Sequence, residues 1–460
     1  MTMLITQAYD GAPIEDLAVD DEVSVERKLD TAAAAFANRS EWLPAYRRIA
    51  ILRRLAKLVE RDFDRFALMI AREGGKPLSD ARIETTRAVN GVESAIGELE
   101  HLAGREIPMG LTEASQYRWA FTTKEPIGVV LAISAFNHPL NLIVHQVVPA
   151  IATGCPVIVK PAATTPLSCR HFVDLVVEAG LPPEWCQMVN LDGLALADRL
   201  VTDPRIAFLS FIGSAPVGWS LRAKVAPGVR CALEHGGAAP VIVDQSAKLD
   251  AIIEPLVKGG YYHAGQVCVS VQRIFVHRNI AQEFTERFTA RVKTLRVGDP
   301  TEAATEVGPL ILPKEVDRVE AWVREAAAAG GKISTGGERL SARVFAPTVI
   351  VEPPADVRVS RSEVFGPVTC IYGYTDLGEA IARANSLPVA FQAAVFSTDI
   401  NIALQAARLL DASAVMINDH TAFRTDWMPF AGRRQSGYGV GGIPYTMHDM
   451  SHDKMVVLKF

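Results

Sequence analysis

The strongest constraint on this fold is a series of short, continuously apolar, β-branched runs alternating with helical segments through the middle of the chain. Residues 127–134 (IGVVLAIS), 156–160 (PVIVK), 186–191 and 206–211 are too short for core helices. The clearest intervening helix is predicted over 166–179, stopped by Gly180 and Pro182-Pro183. Strand, helix, strand repetition predicts parallel βαβ units and a doubly wound sheet. A second set of strands at 241–243, 273–276 and 368–372 follows after about Gly236 and predicts a second α/β domain. Upstream, about 22–102 reads as helical, with Ile49, Leu52, Leu55, Leu58, Val59, Phe63, Phe66 and Ile70 at helical spacing before Gly74-Gly75 ends the run. Residues 117–123 alternate and are rich in aromatics and Thr, which predicts an extended hairpin arm.

At 460 residues the chain is too long for one core, so two or more packed domains are expected. A net charge of -5 gives no electrostatic case for nucleic acid or an acidic membrane surface. The six cysteines include no Cys-x-x-Cys pair, which suits neither a disulfide framework nor a zinc site and fits a reducing cytoplasm. No metal site is expected. The first ten residues, MTMLITQAYD, lack the basic and apolar regions of a signal peptide. The most apolar stretch, 142–159, holds His145, Gln146, Pro149 and Pro156, which argues for a buried element rather than a membrane span.

Several residues can carry chemistry. Cys268 follows Gly265-Gln266-Val267; a buried cysteine is usually a small apolar side chain, but a thiolate is also a soft nucleophile for an aldehyde carbon. Glu234, before His235-Gly236-Gly237, either caps a turn or serves as a base that activates water. Asn137 is either a turn residue or an amide donor to a developing oxyanion. The segment Gly213-Ser214-Ala215-Pro216-Val217-Gly218 follows an apolar strand and can lie beside a phosphate, although it is not the G-x-G-x-x-G fingerprint. Lys160 ends a predicted parallel strand, where ligands are expected, and Glu363-Val364-Phe365-Gly366-Pro367 is either an ordinary loop or a ribose site.

Together, in order, these segments resemble the aldehyde dehydrogenase superfamily. The resemblance runs from Gly75-Lys76-Pro77 to Ser436-Gly437-Tyr438-Gly439, through Phe136-Asn137-His138-Pro139, Val159-Lys160-Pro161-Ala162, Glu234-His235-Gly236-Gly237, Gly265-Gln266-Val267-Cys268, Glu363-Val364-Phe365-Gly366-Pro367 and Pro429-Phe430-Ala431-Gly432. It implies an α/β fold of two doubly wound, Rossmann-like domains with a small β oligomerisation arm. The expected divisions are a dinucleotide-binding domain (1–113 and 128–235), a catalytic domain (236–445) and the arm (114–127 and 446–460), giving a homodimer or homotetramer. It further implies Cys268 as nucleophile, Asn137 with the Cys268 N–H as oxyanion hole, and Glu234 as the hydrolytic base. Lys160 and Glu363 would hold the riboses, Phe365 the nicotinamide, and Gly213, Ser214 and Gly218 the pyrophosphate. Ile133, Phe136 and Ala163 complete the expected cofactor site. The family often has Leu where this chain has His235, and Lys where it has Ala238. NAD-preferring relatives often carry Glu where Ala163 stands, so either NAD⁺ or NADP⁺ is admitted.

The substrate end is expected to be polar. His138 replaces a common Phe, and Asn141 and His145 follow it at i+3 and i+7. Arg87 and Arg424 can pair with an anionic tail, with Trp427 and Phe430 nearby. Val267 stands where phosphate-binding relatives often place Arg, which favours carboxylated, sulfonated or hydroxylated aldehydes. A CoA-acylating enzyme is the alternative, opposed by Glu234, and a non-catalytic family member is opposed by the presence of Cys268, Glu234 and Asn137.

Overall fold

The computed structural model describes residues 1–193 and 195–460. A six-stranded sheet runs in the order Gly437–Tyr438, Arg230–Glu234, Ile206–Ile212, Val129–Ile133, Val157–Lys160, Cys186–Met188. Its neighbours pair in parallel except at Gly437–Tyr438. Successive side chains of Val129–Ile133 alternate between two cores: Val130 and Ala132 pack among the helices on one face, and Val129, Leu131 and Ile133 on the other. Coverage of both faces is why these strands read as unbroken apolar runs.

A seven-stranded sheet follows, ordered Lys332–Thr335, Thr348–Val351, Val368–Tyr374, Val271–His277, Ala239–Val243, Gln392–Phe396, Ala414–Ile417. It is parallel except where Lys332–Thr335 meets Thr348–Val351. The helices Glu22–Ala37, Ala45–Arg61, Phe63–Gly74 and Leu78–Glu98 occupy the region read as helical. Ile443, Met447 and Met450 return from the end of the chain to the core of the first sheet.

The hairpin arm expected at 117–123 is completed from within 446–460, the segment that the resemblance grouped with it. Strand Arg118–Pro126 pairs antiparallel with Ser451–Lys459 along its whole length and with Glu106–Ile107 on its other edge. Alternation reports a half-buried strand but not its partner, and here the partner lies at the far end of the chain. Among the described residues, no helix is long and apolar enough to cross a membrane.

Candidate active site

The carboxyl ends of the first sheet meet the amino ends of the second around a cavity of about 730 Å³. The first sheet contributes Ile133 to Asn137, then His138, Gly213, Ser214 and Glu234 to Gly236. The second contributes the segment entering Val271–His277, which carries Gln266 to Val269, and the segment entering Val368–Tyr374, which carries Glu363 and Phe365. Arg87, Asn141, Arg424 and Phe430 close the other end. The structure therefore brings Cys268, Glu234, Asn137, Glu363 and Phe365 onto one wall system from four separate stretches of chain.

The approach to Cys268 is unusual backbone. His263, Ala264 and Gly265 lie consecutively at φ 50°, 53° and 69°. A left-handed conformation costs a non-glycine residue about 1–2 kcal/mol, so the turn must be held from outside. Gln266 does this: its side-chain amide donates to His263 O (3.2 Å) and Pro309 O (3.1 Å), and its oxygen accepts from Ile311 N (2.9 Å). Asn137 Nδ2 donates to Gln266 O at 3.0 Å, tying the oxyanion candidate to the same turn and leaving its second N–H available. Burial pushes the Cys268 thiol up to about 12, while the charge of Arg424 draws it back. The thiol is thus protonated at neutral pH until another positive charge or a base is supplied.

Glu234 and Glu363 are each set against a glycine. A Cβ on Gly441 would stand 1.8 Å from Glu234 Oε1, and one on Gly236 would stand 1.7 Å from Glu363 Oε1. Only glycine permits these approaches. Burial raises Glu234 above the usual carboxylate range against the pull of Arg424, and raises Glu363 to about 8. Glu363 Oε1 is buried without a hydrogen-bond partner, an unfilled acceptor suited to a hydroxyl such as a ribose carries. Phe365, also left-handed at φ 46°, meets Phe136 edge to face at 5.9 Å. These apolar rings, the Gly213–Ser214 turn and the orphaned carboxylate oxygen fit a nicotinamide dinucleotide.

Other expected residues stand off the cavity wall. Lys160 Nζ donates to the neighbouring Pro161 O (3.1 Å), and Ala163 is exposed. Gly218 packs against the His235 ring, whose Nδ1 bonds Gly213 O at 2.9 Å. Trp427 is 58% exposed and does not line the cavity, whereas its neighbour Asp426 is buried. His145 lies behind the wall, bonding Asp426 through Nε2 (2.8 Å) and Arg424 through Nδ1 (3.3 Å). His138 stays on the wall, in contact with Tyr262 OH at 3.3 Å.

Sequence reading missed Asp426, whose Oδ1 also accepts from Arg87 Nη2 (2.7 Å) and Asn141 Nδ2 (3.2 Å). It also missed the Lys76–Glu84 ion pair, fully buried, in which Glu84 caps the helix Asn141–Thr153 through the N–H groups of Leu140 and Asn141 (both 3.0 Å). Arg318 and Trp322 at the cofactor end of the cavity were likewise unread. Their only available signal was amphipathic helix spacing, which does not separate a wall from a core.

The aldehyde dehydrogenase family model matches residues 2–456. The 3-sulfolactaldehyde dehydrogenase of Priestia aryabhattai is 35% identical over 99% of this chain and 94% of its own. Aldehyde dehydrogenase 21 from Physcomitrella patens, solved with the reaction product succinate, superposes at a TM-score of 0.96 with 34% identity, covering 100% of this chain and 95% of that one. Glyceraldehyde-3-phosphate dehydrogenase from Methanocaldococcus jannaschii, solved with NADP, gives 0.94 at 34% identity, covering 100% and 99%. The two-sheet fold, the cavity between the sheets and this whole-chain similarity have one meaning: the chain belongs to the aldehyde dehydrogenase family and is an NAD(P)-dependent oxidoreductase acting on an aldehyde.

Proposed function

We propose that the protein oxidises a small polar or anionic aldehyde to its carboxylate through a covalent thioester on Cys268. The observation that carries this reading is the convergence of Cys268, Glu234 and Asn137 on one cavity that also holds Glu363 and Phe365. Cys268 Sγ adds to the aldehyde carbon, and the free Asn137 N–H with the Cys268 backbone N–H receives the oxyanion. When bound, the nicotinamide supplies the hydride acceptor. Gly213, Ser214, Glu363, Phe365, Ile133 and Phe136 would hold that cofactor, with Glu363 taking ribose hydroxyls. Glu234, short of donors, then takes a proton from the water that hydrolyses the thioester. Its presence favours water over a thiol such as CoA as acceptor.

At the substrate end, His138, Arg87, Asn141 and Arg424 make the wall polar, and Arg424 forms no ion pair among the described residues. An unpaired guanidinium beside the nucleophile suits a carboxylate, sulfonate or hydroxylated tail. Exposed Trp119, Val457 and Leu458 on the three-stranded sheet support its use as an oligomerisation arm, and the free cysteines fit a reducing, cytoplasmic setting.

The test is an aldehyde panel with neutral, carboxylate, sulfonate and phosphonate tails, run with NAD⁺ and NADP⁺ and with or without CoA. The expected result is CoA-independent carboxylate formation, fastest with a polar or anionic tail. Preference for long alkyl aldehydes, or a requirement for CoA, would contradict it.

A further inference from the structure

Asp426 lies two residues beyond Arg424, is 1% exposed, and places one carboxylate oxygen at the meeting point of three donors. Those donors come from two helices, Leu78–Glu98 and Asn141–Thr153, so one residue of the late loop clamps both. A histidine that donates through Nε2 keeps Nδ1 as an acceptor. His145 Nδ1 faces Arg424 Nη2 at 3.3 Å, and the Arg424 guanidinium lies over the Phe430 ring at 3.5 Å. Asp426 therefore pairs directly with Arg87, and through a neutral His145 it orients Arg424, which feels its charge without forming an ion pair with it. Burial and the charge of Arg424 hold His145 down to about 4, which keeps it neutral in that role.

We propose that Asp426 is a positioning residue that fits the cavity to an aldehyde whose tail carries one negative charge, by engaging Arg87 and leaving Arg424 as the cation without an ion-pair partner. The charges of Arg87, Asp426 and Arg424 sum to one positive. A sulfonate or carboxylate tail neutralises that charge. A phosphonate dianion leaves one negative charge more than either monoanionic tail in the same desolvated site, and such a charge is expensive to bury. This inference rests on the reading that the substrate tail lies against Arg424.

The experiment measures kcat and KM for sulfoacetaldehyde, succinic semialdehyde and phosphonoacetaldehyde at saturating dinucleotide, with the unaltered protein and with Asp426→Asn. The unaltered protein should favour the two monoanionic tails. In Asp426→Asn, release of Arg87 should raise the phosphonate-to-sulfonate ratio of kcat/KM by about tenfold, carried mainly by KM. An equal loss on all three substrates, or an unmoved ratio, overturns the proposal.

His145→Leu and His145→Gln provide an independent arm if Asp426→Asn does not fold. Leu should raise the KM for sulfoacetaldehyde about tenfold, and Gln, which can both donate to Asp426 and accept from Arg424, should recover most of that loss. Equal KM in the two variants overturns the relay. If the unaltered protein turns over neither monoanionic aldehyde, the substrate reading itself fails. Turnover with an unmoved ratio defeats only the role given to Asp426.

Discussion

Two pairs of carboxylates sit around the cavity, one fully buried and one partly exposed, and they meet opposite treatment. Glu84 holds Lys76 and two backbone N–H groups, and Asp426 holds Arg87, His145 and Asn141. Those contacts keep Asp426 well below the usual carboxylate range, with the His145 hydrogen bond and the Arg87 charge overcoming its burial. Glu234 has only the distant charge of Arg424 to offset its burial, and Glu363 only the Gly237 N–H and the charge of Arg318. The same functional group therefore joins elements of the wall when saturated with donors and keeps open acceptor capacity toward the cavity when starved of them. What separates the pairs is the supply of donors as well as depth: Glu84 and Asp426 are 2% and 1% exposed, whereas Glu234 and Glu363 are partly exposed.

The hardest test of this division is removal of Cys268, the thiol that the proposed reaction uses in the cavity lined by both starved carboxylates. Cys268→Ala should lower steady-state oxidation by about 10³-fold or more while dinucleotide affinity, followed by fluorescence titration, stays near its starting value. Turnover surviving above a few per cent would place the nucleophile elsewhere. Next in size is the saturated pair. Glu84→Gln leaves Lys76 buried without its counter-charge and should cost about 3–5 kcal/mol, seen as a lower denaturation midpoint. A midpoint unmoved by that substitution would mean that Glu84 is not structural.

The smallest effect concerns Glu363. Hydroxyl donors favour the ionised carboxylate, and in the free protein that form gains population only as pH passes upward through about 8. Dinucleotide affinity should therefore rise by up to about tenfold between pH 7 and 9, with proton release on binding measurable by calorimetry in two buffers. Glu363→Gln should be flat over the same range. A slope retained in that variant would assign the titration to another group.

The strands that position the site were readable because both their faces are covered, so Val129–Ile133 and Val157–Lys160 appear as continuous apolar runs. Thr348–Val351, Gln392–Phe396 and Ala414–Ile417 went unread. They are short, and Ala414–Ile417 lies at the sheet edge with no fully buried residue. The convergence of Cys268, Glu234 and Asn137 was visible through motif order, since each alone has a structural explanation. Asp426 could not be found that way, because its partners lie 281 to 339 residues away and an acid in a polar loop looks solvated. Trp427 was the more conspicuous residue of that loop, yet it is exposed and does not line the cavity. The left-handed turn at His263 and Ala264 is carried by residue types that give no warning of it.

The central claim is that a thioester forms on Cys268 and that Glu234 releases it. The direct measurement is a rapid-mixing experiment on Glu234→Gln, with acid quench and mass analysis of the peptide containing Cys268. The account predicts a burst of reduced dinucleotide equal to the number of active sites, a stalled steady state, and an acyl mass increment on that peptide. An undiminished steady state, or a burst with no acyl group on Cys268, would contradict it.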